Sequence, residues 1–167
     1  MVGSSLDSSD LPILLIAWHR HKCLSSLLAA IRPLAPKYLY VACDGPLRDA
    51  TPEHIANIAA TRALVEQCID WRCQVMRLYL SENNGCCDGP IKAIDWFFSH
   101  VEFGVILEED CIPHLDFFEY CACLLPRFRD DSRVWCVSGN SYAYSDSSAS
   151  YYFSRYPLTW GWATWRN

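Results

Sequence analysis

The sequence predicts a wound α/β sheet, and three observations carry that prediction. Short continuous apolar runs recur along the chain, helical stripes lie between them, and the two kinds of segment alternate without a break. The chain has 167 residues, 51% of them hydrophobic and 14% aromatic, which suits one domain with one sizeable core and argues against disorder.

In chain order, Met1 to Asp10 is polar and acidic, has no basic stretch, and is expected to be a flexible N-terminus ahead of one domain over 11–167. The first strand is expected at Pro12–Trp18. The apolar run there is too short to cross a membrane. Leu24, Leu27, Leu28 and Ile31 are spaced i, i+3, i+4, i+7, and Pro33 ends that helix. The second strand is Tyr38–Cys43. Thr51-Pro52-Glu53 reads as an N-cap, a first-turn proline and an early acid. The stripe behind it is Ile55, Ile58, Ala59, Val65 and Ile69. The third strand, Val75–Leu80, is followed by a stripe of Ile91, Ile94, Phe98 and Val101. The fourth strand, Phe103–Leu107, is followed by Phe117, Cys121, Leu124 and Phe128. A fifth strand is expected at Val134–Val137. The runs do not alternate with polar residues, as expected of strands buried on both faces of a parallel sheet with right-handed crossovers. Ser138 to Ser154 is rich in Ser and Tyr and reads as a loop. Trp160, Trp162 and Trp165 crowd the end of the chain, which leads us to expect a domain incomplete at its C-terminus.

Charge and cysteine usage narrow the function classes. The net charge is −5 and no basic run occurs, so the electrostatic footprint of a nucleic-acid or anionic-membrane binder is missing. Of the ten cysteines, Cys43, Cys111 and Cys136 lie in or beside apolar runs, and Cys23, Cys68 and Cys121 lie on helical patterns. Such places suit reduced thiols acting as small hydrophobes, hence an expected cytoplasmic location. No Cys-x-x-Cys pair marks a structural zinc site.

In an open parallel sheet, ligands bind beyond the carboxyl ends of the strands. The segments expected there are His19-Arg20-His21, Asp44-Gly45-Pro46, Ser81 to Gly85, Glu108-Glu109-Asp110 and Ser138-Gly139-Asn140. The acidic triplet says most. Adjacent carboxylates repel, and a hard divalent cation such as Mg2+ or Mn2+ relieves that cost. The alternative is a solvated turn with a helix-capping acid. Asp44 is either a contact to a nucleotide or the start of an Asp-Gly-Pro turn. Arg20 is either a phosphate or base contact or a surface residue ahead of a helix. His19 and His21 have no fixed partner and make no credible general base. Trp160 and Trp162 suit the apolar face of a sugar or a core cluster, while Trp165 reads as core. Gly161 between them marks a turn or a close backbone approach. A sugar-phosphate nucleotidyltransferase would need a Gly-rich phosphate loop early in the chain, and Ala17-Trp18-His19-Arg20 is not one.

Several of these segments carry a family resemblance. Ile106 to Pro113, followed by Asp116-Phe117-Phe118-Glu119-Tyr120 and then Val134 to Ser138, resembles the acidic motif and following helix of N-acetylglucosaminyltransferase I. From Pro12 onward the chain is similar to bacterial sugar transferases of the hemolytic-protein-like group. The marks of that group are Asn84-Gly85-Cys86, the acidic triplet, Ser138-Gly139-Asn140, and Tyr152 to Pro157 running into Trp160 to Trp165.

The resemblance implies a GT-A fold, a nucleoside-diphosphate sugar donor with UDP-sugar favoured, a glycan or other hydroxyl acceptor, and Mn2+ or Mg2+. It maps Asp110 onto the metal ligand with Glu108 beside it, and Arg20, Asp44 and Glu109 onto the donor-nucleotide side. Trp160, Gly161 and Trp162 fall on a sugar or acceptor role. The middle acid of the family is usually Asp, and here it is Glu109. The family's catalytic base lies past the matched segment, so the resemblance puts a base beyond Asn167. A non-catalytic nucleotide-binding module, or the remnant of a truncated gene, is the alternative expectation.

Overall fold

The computed structural model describes residues 6–142 and 149–166. Strands β1 (Ile13–Ala17), β2 (Tyr38–Cys43), β3 (Gln74–Tyr79) and β4 (Phe103–Glu108) alternate with helices α1 (His21–Ile31), α2 (Pro52–Cys68), α3 (Gly85–Phe98) and α4 (Leu115–Phe128). Two short strands follow, β5 (Val137–Ser138) and β6 (Trp162–Trp165). They form one six-stranded sheet in the order β3-β2-β1-β4-β6-β5. The first four strands pair in parallel, while β6 runs antiparallel to both β4 and β5. The architecture is α/β, with a mostly parallel mixed sheet flanked by helices and compatible with a Rossmann-like fold.

The pleat divides the core between the two faces of the sheet. Ile13, Leu15, Leu39, Val41, Val105 and Leu107 pack in one cluster with Leu24, Leu27, Leu28 and Ile31 of α1 and with Phe118, Cys121 and Leu125 of α4. Leu14, Tyr40, Ala42 and Ile106 point the other way, against Ala93, Phe97 and Phe98 of α3. Successive strand residues are therefore apolar because both faces are covered. The helix caps follow the sequence: Thr51 Oγ1 accepts the His54 N–H at 3.2 Å, with Pro52 in the first turn of α2.

Several sequence expectations need correction. Of Val134–Val137, only Val137 enters a strand, because Val134 closes a turn onto Asp131 and Trp135 is 82% exposed. That strand and β4 are both antiparallel to β6, so β5 runs in the same direction as β4; the α4 crossover keeps its parallel sense, but β6 is inserted between the two strands. Of the Trp block, Trp162–Trp165 is itself strand β6. Ile91 is half exposed, because α3 sets Gly89, Ala93 and Phe97 toward the sheet and a residue two positions past Gly89 lies on the far side. Ile55 and Ala59 are likewise exposed, while Ile58 and Val65 of the expected stripe are buried, with Thr61 beside them. Within the stretch expected to be flexible, Ser8–Asp10 forms a 3-10 turn capped by Asp7, whose side chain accepts the Ser9 N–H. The loop expected over Ser138 to Ser154 has neither helix nor strand in its described part after Ser138, and 143–148 lie outside the described residues, as does Asn167. No helix among the described residues is long and apolar enough to cross a membrane.

Candidate functional site

Strand order reverses at β1. The chain moves outward from β1 to β2 and β3, then returns through α3 to β4 on the other side of β1. The carboxyl ends of β1 and β4 are therefore neighbours at a topological switch point, where open α/β sheets leave a crevice. A cleft of about 530 Å³ opens there, lined among others by Trp18, Arg20, Asp44, Asn83, Gly89, Glu108 and Glu109.

Glu109 joins the two strand ends. Its residue is 3% exposed, and each carboxylate oxygen has a partner on the β1 side. Oε2 accepts the Trp18 backbone N–H at 2.9 Å, and Oε1 accepts Arg20 Nε at 2.7 Å. Its own N–H donates to Ile16 O at 2.9 Å, continuing the β1–β4 pairing past the strand end. The two donors offset the desolvation cost that burial puts on such a carboxylate. Arg20 then reaches a second acid: Nη1 lies 2.7 Å from Asp110 Oδ2. The carboxylates of Glu109 and then Asp110 push the Arg20 pKa further above its already high value, so the guanidinium stays charged.

Glu108 is in a different condition. Partial burial, then repulsion from Asp110, holds its carboxyl above the usual carboxylate range, with Arg20 opposing. Glu108 lines the cleft, whereas Asp110 does not line it and is paired with Arg20, which does.

Asp44 ties the end of β2 to the loop before α3. Its carboxylate accepts the Gly45 N–H at 2.9 Å, the Asn84 N–H at 3.0 Å and Asn83 Nδ2 at 3.0 Å. It also lies close above the start of α3, where a Cβ on Gly89 would sit 3.2 Å from Asp44 Oδ2. The turn reading of Asp-Gly-Pro thus has direct support, and the same carboxylate still faces the cleft. Gly45 is required for a different reason: a Cβ there would fall into the backbone of Glu82.

Two residues that sequence reasoning passed over hold this end of the sheet. Trp18 Nε1 donates to Gly45 O at 2.8 Å, linking β1 to the turn after β2. Arg62 of α2 donates through Nη2 to Leu80 O at 2.6 Å and Asp44 O at 3.2 Å, capping the carbonyls beyond β2 and β3. The signal available for Arg62 was a cation beside positions 61 and 65 of α2, both of which turn out to be buried, and a cation on a helix usually marks a solvated side chain. His19 also lines the cleft, in edge contact with Trp18 and with His54 at a ring separation of 4.7 Å. Burial first, and His54 second, push its pKa down.

Trp160, Gly161 and Trp162 do not line the cleft. Trp160 is 58% exposed and stands edge-on to Tyr142. Trp162 pairs with Ile106 in the sheet and packs beside the α3 cluster. Gly161 has φ of 74° and accepts the Gly139 N–H at 3.0 Å, so it is both a turn and a close approach. Trp165 packs on the core and donates Nε1 to Leu125 O at 3.1 Å, as the core reading expects.

Among the described residues no three His, Cys, Asp or Glu side chains converge on a point that could hold a metal. The donor set that is present, the carboxylates of Glu108 and Asp110, consists of hard oxygens beside excess negative charge. That set fits Mg2+ or Mn2+, which use one or two carboxylates and complete their shell with water and substrate phosphates. It does not fit a zinc site. All ten cysteines are free, with Cys43 and Cys121 buried and their thiol pKa values raised by that burial. Compared with known proteins, the chain matches no protein-family model, and no curated protein is significantly similar to it.

Proposed function

We propose that the chain is the donor-binding part of a GT-A-type, metal-dependent glycosyltransferase. It takes a sugar from a nucleoside diphosphate, a UDP-sugar by preference, and passes it to a hydroxyl of a glycan or other acceptor. The observation that carries this reading is the convergence of Arg20, Glu109 and Asp110 at the β1–β4 switch point, on a cleft that Asp44 enters from β2. Arg20 supplies a fixed positive charge for the donor's diphosphate, and Glu109 sets the direction of that charge. Asp44 would reach the base or ribose by exchanging one of the loop donors its carboxylate now accepts, the Gly45 N–H, the Asn84 N–H and side-chain amide, and the Asn83 amide. Glu108 and Asp110 would hold Mn2+ or Mg2+, and the bound ion would neutralise charge on the departing diphosphate. The cleft volume suits a ligand of nucleotide-sugar size. We assign no general base to a described residue.

The test is thermal. The melting temperature is followed as UDP and Mn2+ are added together and separately. The reading expects a rise that needs both ligands and that is lost in Asp110→Ala. A melting temperature that ignores every nucleoside diphosphate with metal, or an Asp110→Ala protein that responds as the parent does, would overturn it.

A further inference from the structure

Arg20 is anchored at one end and loosely held at the other. Its Nε contacts Glu109 Oε1 at 2.7 Å, and the Glu109 side chain is 4% exposed with its second oxygen held by the Trp18 N–H. Its Nη1 contacts Asp110 Oδ2 at the same 2.7 Å, but there the two side chains are 45% and 44% exposed. Solvent screens a pair of that kind, and its net hold amounts to about fivefold in an equilibrium constant at most. The guanidinium is thus pinned to a buried acid and leans on an exposed one.

That exposed acid is the one the proposed function gives to a cation. Glu108, Glu109 and Asp110 follow one another beside one guanidinium, which contacts the last two, so the local charge stays negative with Arg20 in place. A divalent ion is therefore favoured at Asp110, yet a guanidinium on one oxygen of a carboxylate repels a cation on the other.

We propose that Arg20 is the resident counter-ion of Asp110 and releases it when a divalent cation binds, turning about its Glu109 anchor to meet the donor's diphosphate. The proposal rests on the reading under Proposed function and adds an exchange to it. Without nucleotide, Arg20 lowers cation affinity. With nucleotide, the released guanidinium gains a phosphate partner, so cation and nucleotide each raise the affinity of the other.

Arg20→Lys separates these effects. An ammonium is a point charge that can stay on Glu109, but it lacks the fork that spans both acids. Free Mn2+ is measured by electron paramagnetic resonance for the parent and Arg20→Lys, with and without UDP. Without nucleotide, Mn2+ should bind Arg20→Lys about three- to fivefold more tightly than the parent, the range an exposed ion pair allows. On adding UDP, the gain in Mn2+ affinity should be smaller in Arg20→Lys than in the parent. Equal or weaker Mn2+ binding by Arg20→Lys without nucleotide overturns the exchange. If the parent binds Mn2+ with UDP but the variant is no tighter than the parent when both are free of nucleotide, the exchange alone fails. If the parent takes no Mn2+ even with UDP, the glycosyltransferase reading fails with it. Should Arg20→Lys not fold, guanidinium nitrogen NMR on the parent decides: Mg2+ should speed rotation at the Arg20 Nη groups while the Nε–H signal stays bonded, and unchanged Nη rotation overturns the proposal.

Discussion

The Trp18 backbone N–H donates to Glu109 Oε2 at 2.9 Å, so the ends of β1 and β4 are joined by a side chain where the sheet's own pairing runs out. The same residue sends its indole N–H to Gly45 O at 2.8 Å. One tryptophan therefore links three consecutive positions in the sheet, β2, β1 and β4, directly above the cleft. Arg20 lies two residues further along and takes the second oxygen of Glu109, so the position of the guanidinium depends on a buried acid from another strand.

Glu109→Ala should destabilise the chain by about 2–4 kcal/mol. The substitution leaves a backbone N–H without an acceptor and a guanidinium without its buried partner, and removing one member of a buried pair costs more than the pair contributes. Because Arg20 is itself nearly half exposed, the lower part of that range is expected. Glu109→Gln should cost less, since the amide oxygen can still accept from Trp18. Urea denaturation of the two variants checks this. Equal stability of parent and Glu109→Ala would mean that the β1–β4 junction does not need the carboxylate.

The α/β class was legible because Leu24, Leu27, Leu28 and Ile31 are buried at helical spacing, and because the apolar runs at 13–17, 39–43 and 104–107 are covered on both faces. The site was legible as a set of strand-end residues, since parallel strands bring their carboxyl ends together whatever the helices do. Pairing was not legible. Nothing local distinguishes Glu109 from Glu108 or Asp110, yet a strand's alternation turns the middle acid inward to Trp18 and Arg20 and leaves its neighbours near solvent. β6 was missed for a related reason. Trp162 to Trp165 is a four-residue segment whose partner, β4, lies far back in the sequence, and its aromatics fit a core cluster as well as a strand.

Glu108 gives the stability a pH dependence of known sign. Partial burial, and then Asp110, raise its pKa above the ordinary 4.5. The folded chain therefore binds this proton more tightly than the unfolded chain does. Stability from this group is fully present below the unfolded value and is lost as pH rises through the higher folded value. Glu108→Gln removes the ionisation. Its melting temperature at pH 7 should exceed that of the parent, and the difference should shrink as pH falls toward 4.5. Melting curves between pH 4.5 and 8, taken with a chelator present, check it. A lower melting temperature for Glu108→Gln at pH 7 would mean that the charge has a favourable partner instead.

Asp44 has two possible kinds of work, and one substitution measures both. As a clamp, its carboxylate accepts two backbone N–H groups, from Gly45 and Asn84, and the Asn83 amide. Asp44→Asn keeps the size but turns one acceptor into a donor facing other donors, which should cost about 1–3 kcal/mol in urea denaturation. As a nucleotide contact, the carboxylate should add a charged hydrogen bond to the base or ribose, and its loss should weaken UDP binding by about tenfold or more. Asn83→Ala is the comparison, because it removes one clamp partner and leaves the Asp44 charge in place. If Asp44→Asn lowers UDP affinity and Asn83→Ala lowers only stability, the carboxylate touches the ligand. If both variants lose stability and UDP affinity in the same proportion, Asp44 shapes the loop and the nucleotide finds its contacts elsewhere in the cleft.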